Sequence, residues 1–361
     1  MKKRNQYRIK YYHNHRKQIA RKFFRKVRGF CAIFFIGIFV LYMGYRMTLM
    51  PQVTESKTIN DTYVIVESTI GEEHIPMEEY LVGLLAGSID LEYDDEVLKA
   101  QTILLRSTLL HQGAENSMGE MPETVSSDTT EEMPKVVSSN EVEKRSGAAD
   151  SMLRAIPVER KQVYMSISDM QQCYGESFME VCERLHRIVD ATRGIYLSYD
   201  DQPVLGAFCA MSGGKTRNGN EIFGRGEYTY LESVDCPYDL NRENYGEDYY
   251  FTWKELEQKF GVSMEESGQK IEITKKDDAG YALKVTLGDQ DVTGEEFRNS
   301  LHINSSHMEI TALKAGVRIQ TKGIGHGFGM SQYMAQSLAE KGSDYIEILS
   351  YFFPNAEIEK Q

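Results

Sequence analysis

Apolar residues recur at helical spacing in the first half of the chain, where they predict two consecutive helices. The first runs from Pro76 to Ala86, with a proline and two acidic residues in its opening turn, as helix starts favour. The second runs from Asp94 to Leu110, begins with acidic residues and is followed by Gly113, a common type of helix terminator. Of the two, the second has the stronger helical pattern.

Short runs rich in β-branched and aromatic residues predict strands. We assign strands to residues 62–66, 194–199, 204–210, 270–274, 281–287 and 316–321. Further helices are predicted at residues 177–189, 253–260 with Thr252 as N-cap, 330–339 and 345–352. Because helices and strands do not alternate regularly, the pattern predicts a mixed α+β domain rather than a doubly wound sheet.

Residues 113–150 break this pattern, since they are rich in Ser, Glu, Thr, Met and Pro and contain no aromatic residue. Such a composition cannot bury enough apolar surface to fold, so it predicts a disordered surface insertion. Residues 46–60 are polar, contain Pro51 and lack periodicity, which predicts a linker ahead of a domain that spans residues 61–358.

Charge is distributed very unevenly along the 361 residues, whose net charge is -13. Residues 1–28 hold 12 Lys or Arg and no acid, which leaves 29 basic and 54 acidic residues in the rest of the chain. An apolar run follows at residues 29–45, without a cleavage pattern behind it, and predicts an uncleaved transmembrane helix. The positive-inside rule then places the basic tail in the cytoplasm and residues 46–361 outside, on a single-pass cell-membrane protein.

The acidic exterior argues against nucleic acid as a partner and suits a position beside a charged polymer such as a cell wall. Four cysteines fall in the predicted exterior, namely Cys173, Cys182, Cys209 and Cys236. Their spacing matches no close-set zinc knuckle, and it leaves a disulfide, a metal site and free thiols open.

A glycine-rich stretch at residues 323–329 alternates four glycines with other residues, one of them His326, and leads into Ser331 and Gln332. Glycine at this density indicates unusual backbone conformations or a close approach of the backbone to another group. The stretch is either a turn with an internally bonded histidine or a ligand site at a helix N-terminus. A second glycine-rich loop, residues 211–220, lacks the spacing of a Walker phosphate loop.

Three ordered blocks, at residues 79–107, 212–234 and 325–332, give the chain its resemblance to a known family. The sequence resembles the stage II sporulation protein D / LytB amidase-enhancer (SpoIID/LytB) family over roughly residues 60–355, apart from the insertion. The resemblance implies one grooved, wall-facing domain. It also implies lytic transglycosylase activity on glycan strands that have lost their stem peptides, or stimulation of cell-wall amidases.

The implied chemistry needs one carboxylic acid that serves first as general acid and then as base. The active family members carry a glutamate where this chain has Ser88, and serine cannot protonate a leaving oxygen at neutral pH. Asp90 and Glu92 lie close enough in sequence to substitute, although they also fit solvated acids ahead of a helix. The sequence therefore predicts no assured catalytic residue.

The resemblance also implies a histidine at the position that Cys209 occupies here. Cys209 fits an apolar interior site, a disulfide with Cys236 or a metal site with His326. A zinc site needs further ligands that the sequence does not identify, so no cofactor is predicted.

The same resemblance implies the residues that line the glycan groove. They are Ser212, Gly213, Gly214, Lys215 and Thr216, faced by His326, Ser331 and Gln332, with Arg106. We therefore predict a membrane-anchored, peptidoglycan-binding protein of cell-wall remodelling or sporulation. The alternatives are an active lytic transglycosylase that uses Asp90 or Glu92, and an activator or scaffold of a wall amidase.

Overall fold

The computed structural model describes residues 54–55, 62–68, 71–118, 154–159, 164–223, 226–242, 245–263 and 270–361. All of them belong to one compact unit, Gln52–Gln361. The predicted tail, the predicted span at residues 29–45 and most of the predicted linker and insertion lie outside the described residues. Within the described ranges, no helix has the length and apolar character needed to cross a membrane.

The fold is α+β, as predicted. Its helices are α1 (Met77–Ser88), α2 (Asp95–Met118), α3 (Ile167–Tyr174), α4 (Phe178–Ala191), α5 (Gly219–Phe223), α6 (Trp253–Phe260), α7 (Gly294–Leu301), α8 (Gln332–Ala339) and α9 (Tyr345–Phe352). The strands are β1 (Thr54–Glu55), β2 (Thr62–Ser68), β3 (Gly71–Pro76), β4 (Arg154–Glu159), β5 (Ile195–Tyr199), β6 (Gln202–Pro203), β7 (Phe208–Cys209), β8 (Gly246–Thr252), β9 (Ile271–Lys276), β10 (Ala282–Leu287), β11 (Gln290–Thr293), β12 (Met308–Leu313), β13 (Gly316–Lys322), β14 (Met330–Ser331) and β15 (Glu357–Lys360).

The larger of two hydrophobic cores surrounds α2, which is buried along much of its length. Leu98, Ile103 and Leu104 of this helix are fully enclosed. Helices α1, α4, α8 and α9 and strand β5 pack around α2. Strand β5 lies between β15 and β6 in a four-stranded sheet, while β2 pairs with β3 and β4 in a separate three-stranded sheet.

The second core is formed by one continuous part of the chain, from β8 to β13. Two three-stranded sheets, with the orders β11-β10-β9 and β12-β13-β8, contribute its buried residues together with α6 and α7. Both helices begin with a capping box, in which Thr252 pairs with Glu255 and Thr293 with Glu296. The glycine-rich stretch follows directly on β13, so it leads the chain from the second core back to the first.

Several predicted elements are confirmed. The helices at residues 253–260 and 345–352 have the expected bounds, and α4 lies within two residues of its prediction. Helix α8 begins at Gln332 instead of residue 330, because Ser331 has extended backbone and its hydroxyl caps Met334 N.

Three other expectations are corrected. The strand predicted at residues 204–210 is wrong, because only Phe208–Cys209 pairs with another strand. The chain crosses α2 closely at Gly206, where a Cβ would lie 2.1 Å from Leu104 O. Helix α2 continues past Gly113 to Met118, so the predicted insertion begins in helix. Thr54–Glu55, inside the predicted linker, forms β1 against β15.

Candidate functional site

The glycine-rich stretch alternates because every second residue has left-handed backbone. The φ angles are 77° at Gly323, 103° at Gly325, 80° at Gly327 and 65° at Gly329. Three of these glycines also meet close neighbours: a Cβ would lie 2.6 Å from Ser212 O at Gly323, 2.4 Å from the Tyr281 hydroxyl oxygen at Gly327 and 2.0 Å from a backbone oxygen at Gly329. Both explanations of dense glycine, unusual backbone and close approach, therefore apply.

The two glycine-rich segments contact each other directly. Met211 and Ile324 exchange backbone hydrogen bonds of 3.0 and 2.8 Å, and Arg217 N donates to Gly327 O at 2.9 Å. Short strands β7 and β14 pair in parallel beside them. We expected the segments on opposite walls of a groove, whereas here they form one clasp, which we define as residues 208–217 together with 323–331.

A buried carboxylate, Asp239, holds the clasp together. Its Oδ2 accepts hydrogen bonds from Ser212 N at 2.9 Å and Ser212 Oγ at 2.6 Å, while its Oδ1 accepts one from Ser331 Oγ at 2.9 Å. All three side chains are fully enclosed. Burial raises the pKa of Asp239 against the opposing effect of these hydrogen bonds. No local sequence pattern predicts this role, because an aspartate in a turn is usually exposed to solvent.

Arg217 joins the clasp to the second core. Its Nε donates to Asp277 Oδ2 at 2.7 Å, and its Nη1 donates to Glu295 Oε1 at 2.9 Å. The guanidinium carbon lies 4.9 Å from the ring centroid of Tyr281 and 4.6 Å from that of Phe328. Only 2% of the Arg217 side chain is exposed, so this is a buried ion pair between two aromatic rings.

His326 uses its imidazole within the clasp. Its Nδ1 accepts a hydrogen bond from Phe328 N at 3.1 Å, and the backbone of Phe208 provides a second partner. Burial lowers the pKa of His326 to about 4, so the ring is neutral at physiological pH. Both hydrogen bonds join the His326 ring to the protein itself. The contact between His326 and a glycan therefore stays a prediction.

Hydrogen bonds within the protein, mostly to side-chain hydroxyl groups, hold the other predicted residues of the second loop, namely Gly213, Gly214 and Thr216. Gly213 N donates to the Tyr281 hydroxyl at 2.7 Å, and the Tyr245 hydroxyl donates to Gly213 O at 2.8 Å. Gly214 N donates to Ser212 Oγ, and the buried Thr216 accepts from Val234 N. Within the described ranges, the half-buried Lys215 forms no ion pair, which leaves its ammonium group available.

Arg106 lies in the interior of the first core. Its side chain is fully enclosed, donates to both Glu78 oxygens at 2.9 and 2.6 Å, and donates to Ile195 O at 2.9 Å. The structure thus places Arg106 inside the protein rather than on a groove surface. Its neighbour on the helix face, Lys99, pairs with Glu96 near the surface.

Ser88, at the end of α1, lies beside Gln332. The Gln332 amide donates to Ser88 O at 2.8 Å and to Gln101 Oε1 at 3.3 Å, and Gln101 Nε2 lies 3.5 Å from Ser88 Oγ. Ser88 is half-buried, whereas both glutamines are buried. The structure therefore brings the first and third sequence blocks together in one polar cluster of Ser88, Gln101 and Gln332, which we call the Ser88 cleft.

Asp90 and Glu92 are exposed on the turn that follows α1. Asp90 Oδ1 accepts a hydrogen bond from Glu92 N at 2.9 Å, so this carboxylate stabilises its own turn. In the described part of the chain, no carboxylate hydrogen-bonds to Ser88, Gln101 or Gln332. The cleft has amide and hydroxyl groups that suit hydrogen bonding to an uncharged polar ligand.

Cys209, which lies in the clasp, and Cys236 are both buried and form no disulfide, so the disulfide that the sequence left open between them is absent. Burial raises the pKa of Cys236 to about 12, so it is a protonated thiol. Among the residues that the structure describes, no three His, Cys, Asp or Glu side chains form a group that could hold a metal ion.

Comparisons with known proteins agree with the sequence blocks. A family described as stage II sporulation protein (SpoIID) matches residues 67–199, which include Ser88 and Gln101. Stage II sporulation protein D of Bacillus subtilis (strain 168) is 27% identical over 286 residues, covering 79% of this chain and 75% of that protein. The Bacillus amyloliquefaciens protein of the same name is 26% identical with the same coverage. An uncharacterized protein of Brachyspira hyodysenteriae is 24% identical over 83% of this chain and 69% of its own length.

Proposed function

We propose that this chain, whose residues 67–199 match the stage II sporulation protein family, binds the glycan strands of peptidoglycan during sporulation-related cell-wall remodelling. The Ser88 cleft is the proposed binding site. Glycan strands present many hydroxyl and acetamido groups, and the cluster has matching hydrogen-bonding groups in the half-buried Ser88 hydroxyl and in the buried amides of Gln101 and Gln332 beside it.

The observation that supports this proposal most strongly is the contact between Gln332 and Ser88. These residues are 244 positions apart, yet the Gln332 amide donates to Ser88 O at 2.8 Å. Both lie in blocks on which the family resemblance depends. Because sequence blocks so far apart meet at one half-open polar surface, that surface is the natural candidate for the shared function.

We further propose that this protein binds glycan without cleaving it. Cleavage needs a carboxylic acid held over the glycosidic oxygen, and the position that would provide one is occupied by Ser88. Asp90 is turned into its own loop by the bond from Glu92 N. An active transglycosylase that uses Asp90 or Glu92 remains the alternative for the test to decide.

The test uses the full chain, purified in a mild detergent, with glycan strands from which stem peptides have been removed. We expect co-sedimentation with the strands and no anhydro-sugar products by mass spectrometry. Gln332→Ala should weaken co-sedimentation, while Gln202→Ala on the exposed strand β6 should not. Abundant anhydro products from the wild type would refute silent binding, and loss of those products in Asp90→Asn or Glu92→Gln would identify the acid.

A gain-of-function variant provides the complementary test. Ser88→Glu returns a carboxylate to a half-buried position beside Gln101 and Gln332, where partial burial should keep some of it protonated. We expect anhydro-sugar products from Ser88→Glu and none from the isosteric control Ser88→Gln. If both variants are silent while both still bind strands, the cleft lacks the geometry for cleavage.

We also propose that residues 29–45 anchor the protein in the cell membrane with residues 46–361 outside. The support is the apolar run and the basic tail before it. In intact protoplasts, added protease should digest the folded domain and leave the tail protected. Protection of the whole chain would contradict this orientation.

A further inference from the structure

Arg242 lies on an aromatic surface formed by two tyrosines from distant parts of the chain. Its guanidinium carbon is 4.7 Å from the ring centroid of Tyr333, and it donates a hydrogen bond to the Tyr93 hydroxyl. Tyr333 is the second residue of α8, and Tyr93 lies in the turn between α1 and α2. We call these three residues the Arg242 platform.

The Arg242 platform has no carboxylate partner among the residues that the structure describes. Other arginines are neutralised: Arg106 by Glu78, Arg184 by Asp95 and Arg217 by Asp277. Arg242 is half-buried, and its guanidinium offers five N–H groups, more than the neighbouring Tyr93 hydroxyl can accept. A cation that is partly removed from water and keeps free donors is prepared for an external anion.

The platform is attached to rigid parts of the first core. Arg184 donates to Tyr93 O at 2.7 Å and pairs with Asp95 at the start of α2, which fixes the turn that carries Tyr93. Tyr333 N donates to Ala210 O at 3.2 Å in the clasp. The guanidinium therefore rests on a preorganised surface, which reduces the entropy that ligand binding must overcome.

The platform also borders the Ser88 cleft. Tyr333 follows Gln332, whose amide donates to Ser88 O at 2.8 Å. Tyr93 lies three residues after Asp90, and the Asp90 charge acts on its hydroxyl, so the acidic turn and the platform are close together. The Asp90 charge nearby repels ligands with several adjacent negative charges more strongly than ligands with one.

We propose that Arg242, seated on Tyr333, binds the free lactyl carboxylate of an N-acetylmuramic acid residue in a glycan strand that has lost its stem peptide. This inference rests on the proposed glycan-binding function and assigns the specificity of the same site. A planar guanidinium donates two parallel hydrogen bonds to the oxygens of a carboxylate, and the tyrosine ring provides a flat apolar face for the sugar. In a strand that keeps its stem peptides, that carboxylate is an amide and carries no charge.

Binding of matched oligosaccharides to the full chain in a mild detergent tests the inference by calorimetry. One probe is a tetrasaccharide of alternating N-acetylglucosamine and N-acetylmuramic acid, the second is the same compound with its carboxylates converted to methyl amides, and the third is chitotetraose. We expect the first probe to bind about tenfold more tightly than the other two, as a charge-assisted bidentate bond allows. Added salt should reduce this preference.

Arg242→Gln should bind all three probes equally, within twofold, at the affinity that the wild type shows for chitotetraose. Arg242→Lys keeps the charge without the planar fork and should retain part of the preference. Arg187→Gln, an exposed arginine on α4, is the control and should match the wild type. A thermal melt of each variant checks that it is folded.

The outcomes separate the two proposals. If the wild type binds all three probes equally, or if Arg242→Gln keeps the preference, Arg242 does not bind the carboxylate and glycan binding still stands. If the wild type binds none of the probes, the proposed function fails and this inference fails with it. If both Arg242 variants lose the preference for the carboxylate-bearing probe while Arg187→Gln keeps it, the subsite is supported. That result would also show that the planar guanidinium is required and that a positive charge alone is not enough.

Discussion

Arg217 offers the sharpest test of how the clasp is held between the two cores. Its guanidinium is 2% exposed and reaches Asp277, which is fully enclosed, at 2.7 Å, as well as Glu295 at 2.9 Å. Its Nη1 also donates to His326 O at 3.2 Å. Arg217→Met keeps a long side chain between the rings of Tyr281 and Phe328 but removes the charge and every donor.

The expected loss of unfolding free energy follows from the carboxylate that Arg217→Met leaves without a cation. Asp277 would keep the hydrogen bond from Tyr281 N at 2.8 Å but would become a buried charge without a cation. Breaking a buried pair by removal of one partner costs about 3–5 kcal/mol of the free energy of unfolding. Methionine recovers part of the apolar packing, so we expect a loss near the lower bound, about 3 kcal/mol.

The matched control is Arg318→Met. Arg318 also pairs with an aspartate, Asp248, at 2.7 Å, but 35% of the Arg318 side chain and 39% of the Asp248 side chain are exposed. Water therefore screens the pair, and the variant should unfold at the same urea concentration as the wild type within error. Both pairs join an arginine to an aspartate at 2.7 Å, but the Arg217 pair is buried and includes the further partners Glu295 and His326 O.

The assay is urea unfolding of the full chain, with two signals. The chain has one tryptophan, Trp253, which lies in the second core, so its fluorescence reports that core, while far-ultraviolet circular dichroism reports both. We expect Arg217→Met to shift both transitions to lower urea. Equal midpoints for Arg217→Met and Arg318→Met would refute the claim that the buried pair stabilises the junction.

Other predictions follow from the clasp and its surroundings. Gly329→Ala should lower the melting temperature strongly, because a Cβ would lie 2.0 Å from Ala207 O, whereas Gly342→Ala, also at positive φ but with nothing within 4 Å, should cost only backbone strain. The folded-state pKa of His326 is lowered to about 4, so the native state binds fewer protons than the unfolded state between that pH and the usual histidine pKa. Its stabilising contribution is therefore present above about pH 6.5 and lost as the pH falls towards 4, and His326→Asn should flatten this part of the stability profile measured by thermal melts. A maleimide at pH 7.5 should label exposed Cys173 quickly and buried Cys236 only after unfolding, as peptide mapping would show, because burial raises the pKa of the Cys236 thiol to about 12.

Elements with local signals could be predicted from the sequence. The helices α6 and α9 have their predicted bounds because each begins with a capping box, in which the N-cap residue bonds to a position three residues later. Strands that depend on distant partners could not. Strand β8 is mostly exposed and owes its place to pairing with β13, about seventy residues further along the chain.

The candidate site, like the fold, could be predicted only where the sequence carries a local signal. Ser88 and Gln332 belong to blocks with recognisable order, and the structure brings them together. Asp239 and Arg217 could not be identified, because a charged residue in a loop is usually solvated and burial depends on partners far away in sequence. Arg217 and Asp277 are 60 positions apart in the sequence, so no local pattern links the two residues.

The position of Gln332 beside Ser88 depends on its own hydrogen bonds and also on contacts that involve neither residue. Ser331 precedes Gln332, and its hydroxyl both donates to buried Asp239 and caps Met334 N. Asp239 holds Ser212 through its other oxygen, so the N-terminus of α8 and the second glycine-rich loop cannot move independently. The clasp residues that sequence reasoning assigned to sugar contact therefore have a structural role at least as direct: they orient the helix that presents Gln332 to the cleft and Tyr333 to Arg242.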